Sequence, residues 1–104
     1  MTDFPQEGKL QAEISNGHEA RTILEHPMFV AAFAKVRERI NKEFEACAPD
    51  DMDKLLRCKL TLDVLRCIQY ELTETKRKGE DAQREMGRIE KWRERLKLKG
   101  WIDH

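Results

Sequence analysis

The apolar residues between positions 29 and 47 recur at intervals of three and four, which is the period of one face of an α-helix. This stripe contains three phenylalanines and needs a covering surface, so an amphipathic helix packed on another element is predicted. Pro27 precedes the stripe and Pro49 follows it, so the helix is expected to begin near Met28 and to end at Ala48. The stripe consists of Phe29, Phe33, Val36, Ile40, Phe44 and Cys47.

A second and much longer helix is predicted between Asp50 and Lys99. Aspartates at its start complement the positive end of the helix dipole and can cap the first amides. No strong stop signal precedes Gly100, so this helix is expected to be about 70 Å long. Gly79 leaves two alternatives open, a continuous helix or a bend or turn within residues 76–80, because a helical glycine costs about 1 kcal/mol relative to alanine.

The apolar residues of this long helix are too many for one buried side. Between positions 55 and 72 they fall on more than one face, as in a core helix. A heptad-like series with spacings of three and four follows, which is typical of a coiled coil. The series is Leu65, Ile68, Leu72, Thr75, Gly79, Ala82, Met86, Ile89, Arg93 and Leu96.

The expected architecture is all-α, a helical hairpin with a long C-terminal helix. Such a hairpin has few internal faces, so a second side of residues 55–72 and the stripe at 86–96 are expected to remain uncovered. Burying roughly a few hundred Å² more would contribute several kcal/mol, so a homodimer or a higher symmetric, coiled-coil-like oligomer is predicted. The predicted core and oligomer stripe comprises Phe29, Phe33, Val36, Ile40, Phe44, Leu55, Leu62, Leu65, Ile68, Leu72, Met86 and Ile89.

Residues 1–17 show no sustained apolar period and contain one proline and two glycines. We expect a flexible N-terminal arm there, with at most a short turn of helix over residues 9–14. Its apolar side chains also allow it to dock on a neighbouring chain. The helical domain is then expected to occupy residues 18–104, with His26 as hinge and cap before Pro27.

No constellation of residues predicts catalysis, metal binding or a cofactor. The histidines stand at positions 18, 26 and 104 without metal-ligand spacing. Cys47, Cys58 and Cys67 have no Cys-x-x-Cys spacing and are interpreted as reduced thiols of a cytoplasmic protein. The glycines match no phosphate-binding loop. We therefore expect no catalytic residue, no metal site and no cofactor, in a protein that is not an enzyme.

Charge is unevenly distributed although the formal net charge is zero. Residues 1–54 carry 7 basic and 11 acidic side chains, a net of −4, and residues 76–104 carry 10 basic and 6 acidic ones, a net of +4. The basic segment includes two tryptophans, which suits protein docking, nucleic-acid contact or a structural tail. No stretch approaches the roughly 20 apolar residues of a membrane span, so no membrane partner is expected. The candidate docking residues are Lys91, Trp92, Arg93, Arg95, Lys97, Lys99 and Trp101.

Several short motifs occur over a little more than half of the chain. They are Ile23-Leu24-Glu25-His26-Pro27-Met28-Phe29, Ala32-Phe33, Val36-Arg37, Ile40, Phe44-Glu45-Ala46-Cys47, Pro49-Asp50-Asp51, Leu60-Thr61-Leu62-Asp63-Val64-Leu65 and Lys78-Gly79-Glu80-Asp81-Ala82. In these motifs the sequence resembles small all-helical proteins encoded beside the head and packaging genes of tailed bacteriophages. The resemblance implies an accessory or virion-associated phage protein that acts in the host cytoplasm.

Three functional hypotheses follow. The leading one is a non-enzymatic phage protein that self-associates and binds another protein during head assembly or packaging. The second is a nucleic-acid-associated packaging accessory, in which the basic segment contacts DNA. The third is an inhibitor of host defence that binds a host protein or a nucleotide at an oligomer interface.

Overall fold

The computed structural model describes residues 6–100, and the regular structure of this part is entirely helical. Helix α1 comprises Glu7–Glu25, helix α2 comprises Pro27–Ala46 and helix α3 comprises Met52–Leu98. The predicted all-α class, with a helical hairpin and a long C-terminal helix, is confirmed. The chain divides into two compact units: unit 1 contains Met1–Ala20 and Glu74–His104, and unit 2 contains Arg21–Thr73.

Side chains cap the starts of α2 and α3 as the sequence indicates. His26 is in an extended conformation, and its Nδ1 accepts a hydrogen bond of 3.1 Å from the backbone N–H of Met28. An Asp51 carboxylate oxygen accepts a hydrogen bond of 3.2 Å from the backbone N–H of Lys54. Each cap satisfies an amide that has no partner inside its helix. The hinge at His26 and the aspartate cap are therefore confirmed.

The long helix is unbroken through residues 76–80, so the continuous-helix alternative is confirmed. The helix closes at Gly100, whose φ of 74° lies in the left-handed region, and the Gly100 N–H donates a 3.0 Å hydrogen bond to the carbonyl of Lys97. Glycine adopts this conformation without the steric penalty of a Cβ atom. The end of α3 therefore falls where the sequence places its first strong stop signal, and Trp101 lies outside the described residues.

Unit 2 contains the hairpin, formed by α2 and residues 52–73 of α3. Ile40 from α2 and Cys58 from α3 are both more than 90% buried. A guanidinium nitrogen of Arg37 donates a 3.3 Å hydrogen bond to Gln69 and thereby links the two helices further along. Ile40 and Cys58 line the same cleft. Arg37 precedes Ile40 in α2, whereas its partner Gln69 follows Cys58 in α3, so the two helices are antiparallel.

Unit 1 is a second antiparallel pair, between residues 7–20 of α1 and residues 74–98 of α3. Its core consists of Leu10 on α1 and of Ala82 and Ile89 on α3, with Ile14 and Met86 packed against them. Glu7 forms an ion pair with Arg93 at one end of this contact. Gly17 and Gly79 meet towards the other end.

The prediction of a flexible arm over residues 1–17 is wrong for the part of it that the structure describes. Helix α1 begins at Glu7, and Leu10 is only 8% exposed. The prediction failed because the helical period of this segment includes a glycine, Gly17, at a position that contacts α3. Gly17 permits close packing on α3, so it does not break the helix. The helical domain therefore begins well before position 18. The period consists of Leu10, Ile14, Gly17, Ala20 and Leu24.

Candidate interaction surfaces

An exposed row of apolar side chains follows the α3 segment of unit 2. We call this row the outer stripe, and its members stand four residues apart, close to one helical turn. Their exposed fractions lie between 45% and 58%, high values for large aliphatic residues. The stripe consists of Leu56, Leu60, Val64 and Ile68.

Most of the outer stripe faces away from the hairpin contact. At roughly 100° per residue, Leu56 and Leu60 lie nearly opposite Cys58, which is buried beside Ile40 of α2. Val64 is about 120° from Cys58, and Ile68, the least exposed of the four, lies at the edge of the hairpin side. Leu62 and Leu65 lie on the Cys58 side and are half-buried. The prediction that more than one side of this segment is apolar is therefore confirmed, and within residues 6–100 the second side has no cover.

The predicted core and oligomer stripe falls into two sets in the structure. In unit 2 its members belong to the hairpin, where Ile40 is buried, Val36, Phe44 and Ile68 are exposed, and the others are half-buried. Met86 and Ile89 belong to unit 1 and pack against α1. The expectation that the stripe at 86–96 stays uncovered was wrong, because α1 covers it. The half-buried members in unit 2 are Phe29, Phe33, Leu55, Leu62, Leu65 and Leu72.

An apolar groove with one basic edge lies on α2 in unit 2. The rings of Phe29 and Phe33 have centroids 5.5 Å apart, and the Arg37 guanidinium carbon lies 5.3 Å from the Phe33 centroid. Such an edge can accept an apolar side chain next to an acidic group. The groove is lined by Leu24, Phe29, Val30, Phe33, Ala34, Arg37 and Gln69.

The predicted basic docking residues do not form one surface. Arg93 turns towards α1, where it pairs with Glu7, and its side chain is 25% exposed. Lys97 contacts Glu94 at 3.8 Å. Lys91 and Arg95 point to another side, and the Arg95 guanidinium carbon lies 5.9 Å from the centroid of the Trp92 ring.

Two arginines outside the predicted set belong to the face of Lys91 and Arg95. Arg84 and Arg88 continue it towards the N-terminus of α3, and all four side chains are exposed. The successive spacings of four, three and four place them on one face of the helix. The sequence contains this spacing, but the prediction relied on the two tryptophans and was therefore confined to residues 91–101.

The cysteines and acidic residues of the described part do not come together as a metal site. The Cys47 thiol contacts the carbonyl oxygens of Ala48 at 3.6 Å and Asp51 at 3.7 Å. Desolvation, and then the nearby Asp51 carboxylate, raise the pKa of the Cys47 thiol and so disfavour its thiolate. Among residues 6–100, no three His, Cys, Asp or Glu side chains converge as metal ligands would.

None of the helices in residues 6–100 combines the length and apolar character that crossing a membrane requires. Comparisons with protein-family models, curated proteins and solved structures gave no match to this chain.

Proposed function

We propose that the protein is a non-enzymatic assembly factor that pairs with a second copy of itself through the outer stripe of unit 2. The observation that carries the proposal is the row of half-exposed aliphatic side chains on α3, most of which lies on the side opposite the hairpin contact. Removing roughly 25 cal/mol of unfavourable hydration per Å² of apolar surface favours any partner that covers this row. A second copy of the chain is available as this partner wherever the protein itself is present.

The spacing of the outer stripe suits an antiparallel second copy. The four positions are symmetric about residue 62, so a two-fold axis there sets Leu56 of one chain against Ile68 of the other. The same axis sets Leu60 against Val64. A two-fold interface uses one patch twice, so self-complementarity of this kind is its main requirement.

Charges beside the outer stripe agree with the same arrangement. Lys59 and Asp63 each precede a stripe residue by one position and therefore flank the stripe on one side. In the antiparallel pair, Lys59 of one chain approaches Asp63 of the other, and this contact occurs twice. Asp63 now contacts Arg66 at 3.6 Å on the exposed surface, an interaction that contributes little and is readily exchanged.

The role in assembly extends the proposal to a protein partner. The resemblance to phage proteins encoded beside head and packaging genes supports a place in head assembly. The groove beside Phe29 and Phe33 supports a protein ligand, because it offers an apolar surface next to the cationic Arg37. On this proposal the protein, in infected cells, sediments with head precursor particles.

Co-expression of two copies with different affinity tags tests the pairing. Capture of one tag is expected to retain the other for the wild-type chain and to lose it for Leu60→Gln/Val64→Gln. The matched control is Met28→Gln/Val30→Gln, which removes exposed apolar area of unit 2 outside the stripe and is expected to keep both tags together. Circular dichroism checks that both variants remain helical. Retention of both tags by Leu60→Gln/Val64→Gln would overturn the proposal.

A further inference from the structure

A second surface, distinct from the outer stripe, lies on the α3 segment of unit 1. We call it the basic face, and it consists of Arg84, Arg88, Lys91 and Arg95. From the first to the last of these residues the helix rises roughly 16 Å. The side chains therefore form a line of positive charge along one face of the helix.

The basic face lies on the side of α3 turned away from α1. At 100° per residue, Arg84 and Arg95 stand opposite Ala82 and Ile89, which pack against Leu10. The α1 segment of this unit, residues 7–20, carries three glutamates and one lysine, and it lies on the other side of α3. Unit 1 is therefore polarised, and the four side chains of its basic side are exposed.

Carboxylates neutralise only part of this surface. Residues 84–99 contain 7 basic and 3 acidic side chains, a net of +4, and of the basic ones Arg93 and Lys97 lie off the basic face. Arg88 contacts Glu85 at 2.9 Å and Arg84 pairs with Asp81, whereas Lys91 and Arg95 form no ion pair in the described part of the chain. Exposed pairs of this kind contribute at most about 1 kcal/mol, so a polyanion can displace them.

An exposed aromatic ring adjoins the basic face. Trp92 is 57% exposed and follows Lys91 directly, with the Arg95 guanidinium beside its ring. Basic side chains that track a backbone and an aromatic ring on which a base stacks are the features that proteins use for single-stranded nucleic acids. A membrane-surface helix needs instead a broad apolar face opposite its basic one, and here that face is packed on α1.

We infer that the basic face binds single-stranded nucleic acid, with phosphates contacting Arg88, Lys91 and Arg95 and one base stacking on Trp92. Arg84 extends the same line of contacts. Each phosphate contact releases condensed counterions, so binding weakens as salt is added. The interaction goes beyond self-association, because it uses unit 1 and none of the outer-stripe residues.

Fluorescence anisotropy of a labelled single-stranded DNA oligonucleotide, titrated with the full chain, tests the inference. Log affinity is expected to fall with log salt with a slope of about −0.7 per phosphate contact, so near −3 for four contacts. Arg88→Gln/Lys91→Gln/Arg95→Gln should weaken binding by at least roughly tenfold at low salt and reduce the slope by about 2. The control, Lys35→Gln/Arg39→Gln/Lys42→Gln, removes the same charge from the exposed side of α2 in unit 2 and should bind like the wild type.

Trp92 separates stacking from charge. Trp92→Ala should weaken single-strand binding roughly tenfold at unchanged salt slope, and Trp92→Phe should restore most of the affinity. Equal weakening by the basic-face triple variant and by the α2 control variant would overturn the inference. So would a duplex that binds as tightly as the single strand together with no effect of Trp92→Ala. Binding to phosphatidylserine vesicles without any binding to DNA would also overturn it.

Discussion

Gly17 of α1 and Gly79 of α3 approach so closely that a Cβ atom placed on either would lie 2.8 Å from the Cα atom of the other. The added atom on Gly17 would also meet the Thr75 carbonyl oxygen at 3.3 Å, and that on Gly79 the Glu13 carbonyl oxygen at 2.9 Å. All these neighbours are backbone atoms, which cannot rotate away as a side chain does. The two helices of unit 1 thus pack at this distance only because both positions are glycine.

Alanine at either position should destabilise unit 1. Gly17→Ala and Gly79→Ala gain helix propensity but force the backbones apart, for a net loss of about 1–3 kcal/mol in the free energy of unfolding. Gly87→Ala is the control, because a Cβ there meets nothing within 4 Å, and it should stabilise by about 0.5–1 kcal/mol. Urea denaturation followed by circular dichroism measures all three, and equal effects would contradict the close contact.

Asp51 and Asp50 should differ as helix caps although they are neighbours of identical chemistry. Asp51→Ala removes the acceptor of the Lys54 N–H and should lower the free energy of unfolding by about 1 kcal/mol. Asp50 is exposed and makes no hydrogen bond within the described residues, so Asp50→Ala should change stability by less than about 0.5 kcal/mol. The same urea titration distinguishes the two variants. A larger loss of stability for Asp50→Ala than for Asp51→Ala would contradict the assignment of Asp51 as the cap.

Glu7 and Arg93 should be energetically coupled across unit 1. Their side chains are only 17% and 25% exposed, so each substitution removes an ion pair that is partly shielded from water. In a double-mutant cycle with Glu7→Gln and Arg93→Met, a coupling energy of about 1 kcal/mol is expected. Lys9 and Glu13, joined by a 3.9 Å contact with a largely exposed lysine, supply a comparison pair with a coupling near zero. Equal coupling in both pairs would show that burial at Arg93 has no effect.

Sequence periodicity was sufficient to predict the hairpin, its caps and the two-sided apolar character of residues 55–72. It failed for α1 because glycine has two opposite uses, as a helix breaker and as a site of close backbone approach. Gly17 was assigned the first use, although its spacing from Leu10 and Leu24 permits the second. Only the position of Gly79 on the facing helix decides between them, and that is a tertiary fact.

The candidate surfaces were predictable to different degrees. The apolar residues of the outer stripe are evident in the sequence, but the side that α2 covers depends on how the hairpin packs. Met86 and Ile89 were assigned to an open stripe because α1 was not expected as a covering helix. Arg93 was grouped with Lys91 because the two are close in sequence. They lie on opposite sides of the helix, however, so that Lys91 is exposed and Arg93 faces Glu7.

Cys67 should report on pairing through the outer stripe. Its thiol is exposed in the single chain and lies beside Leu60 and Val64 on the helix surface. A second copy on the stripe would restrict access, so alkylation by iodoacetamide at Cys67 should be slow in the wild type and several-fold faster in Leu60→Gln/Val64→Gln. Mass spectrometry of the peptides measures each rate, with Cys47 as internal reference. Equal rates at Cys67 in both proteins would argue against a partner there.

The mass of the wild-type protein in solution tests self-association most directly. Sedimentation equilibrium at micromolar concentrations should give twice the 12.3 kDa of one chain, or a larger even multiple, and Leu60→Gln/Val64→Gln should shift it towards one chain. A mass of 12.3 kDa for the wild type across that concentration range would contradict pairing through the outer stripe.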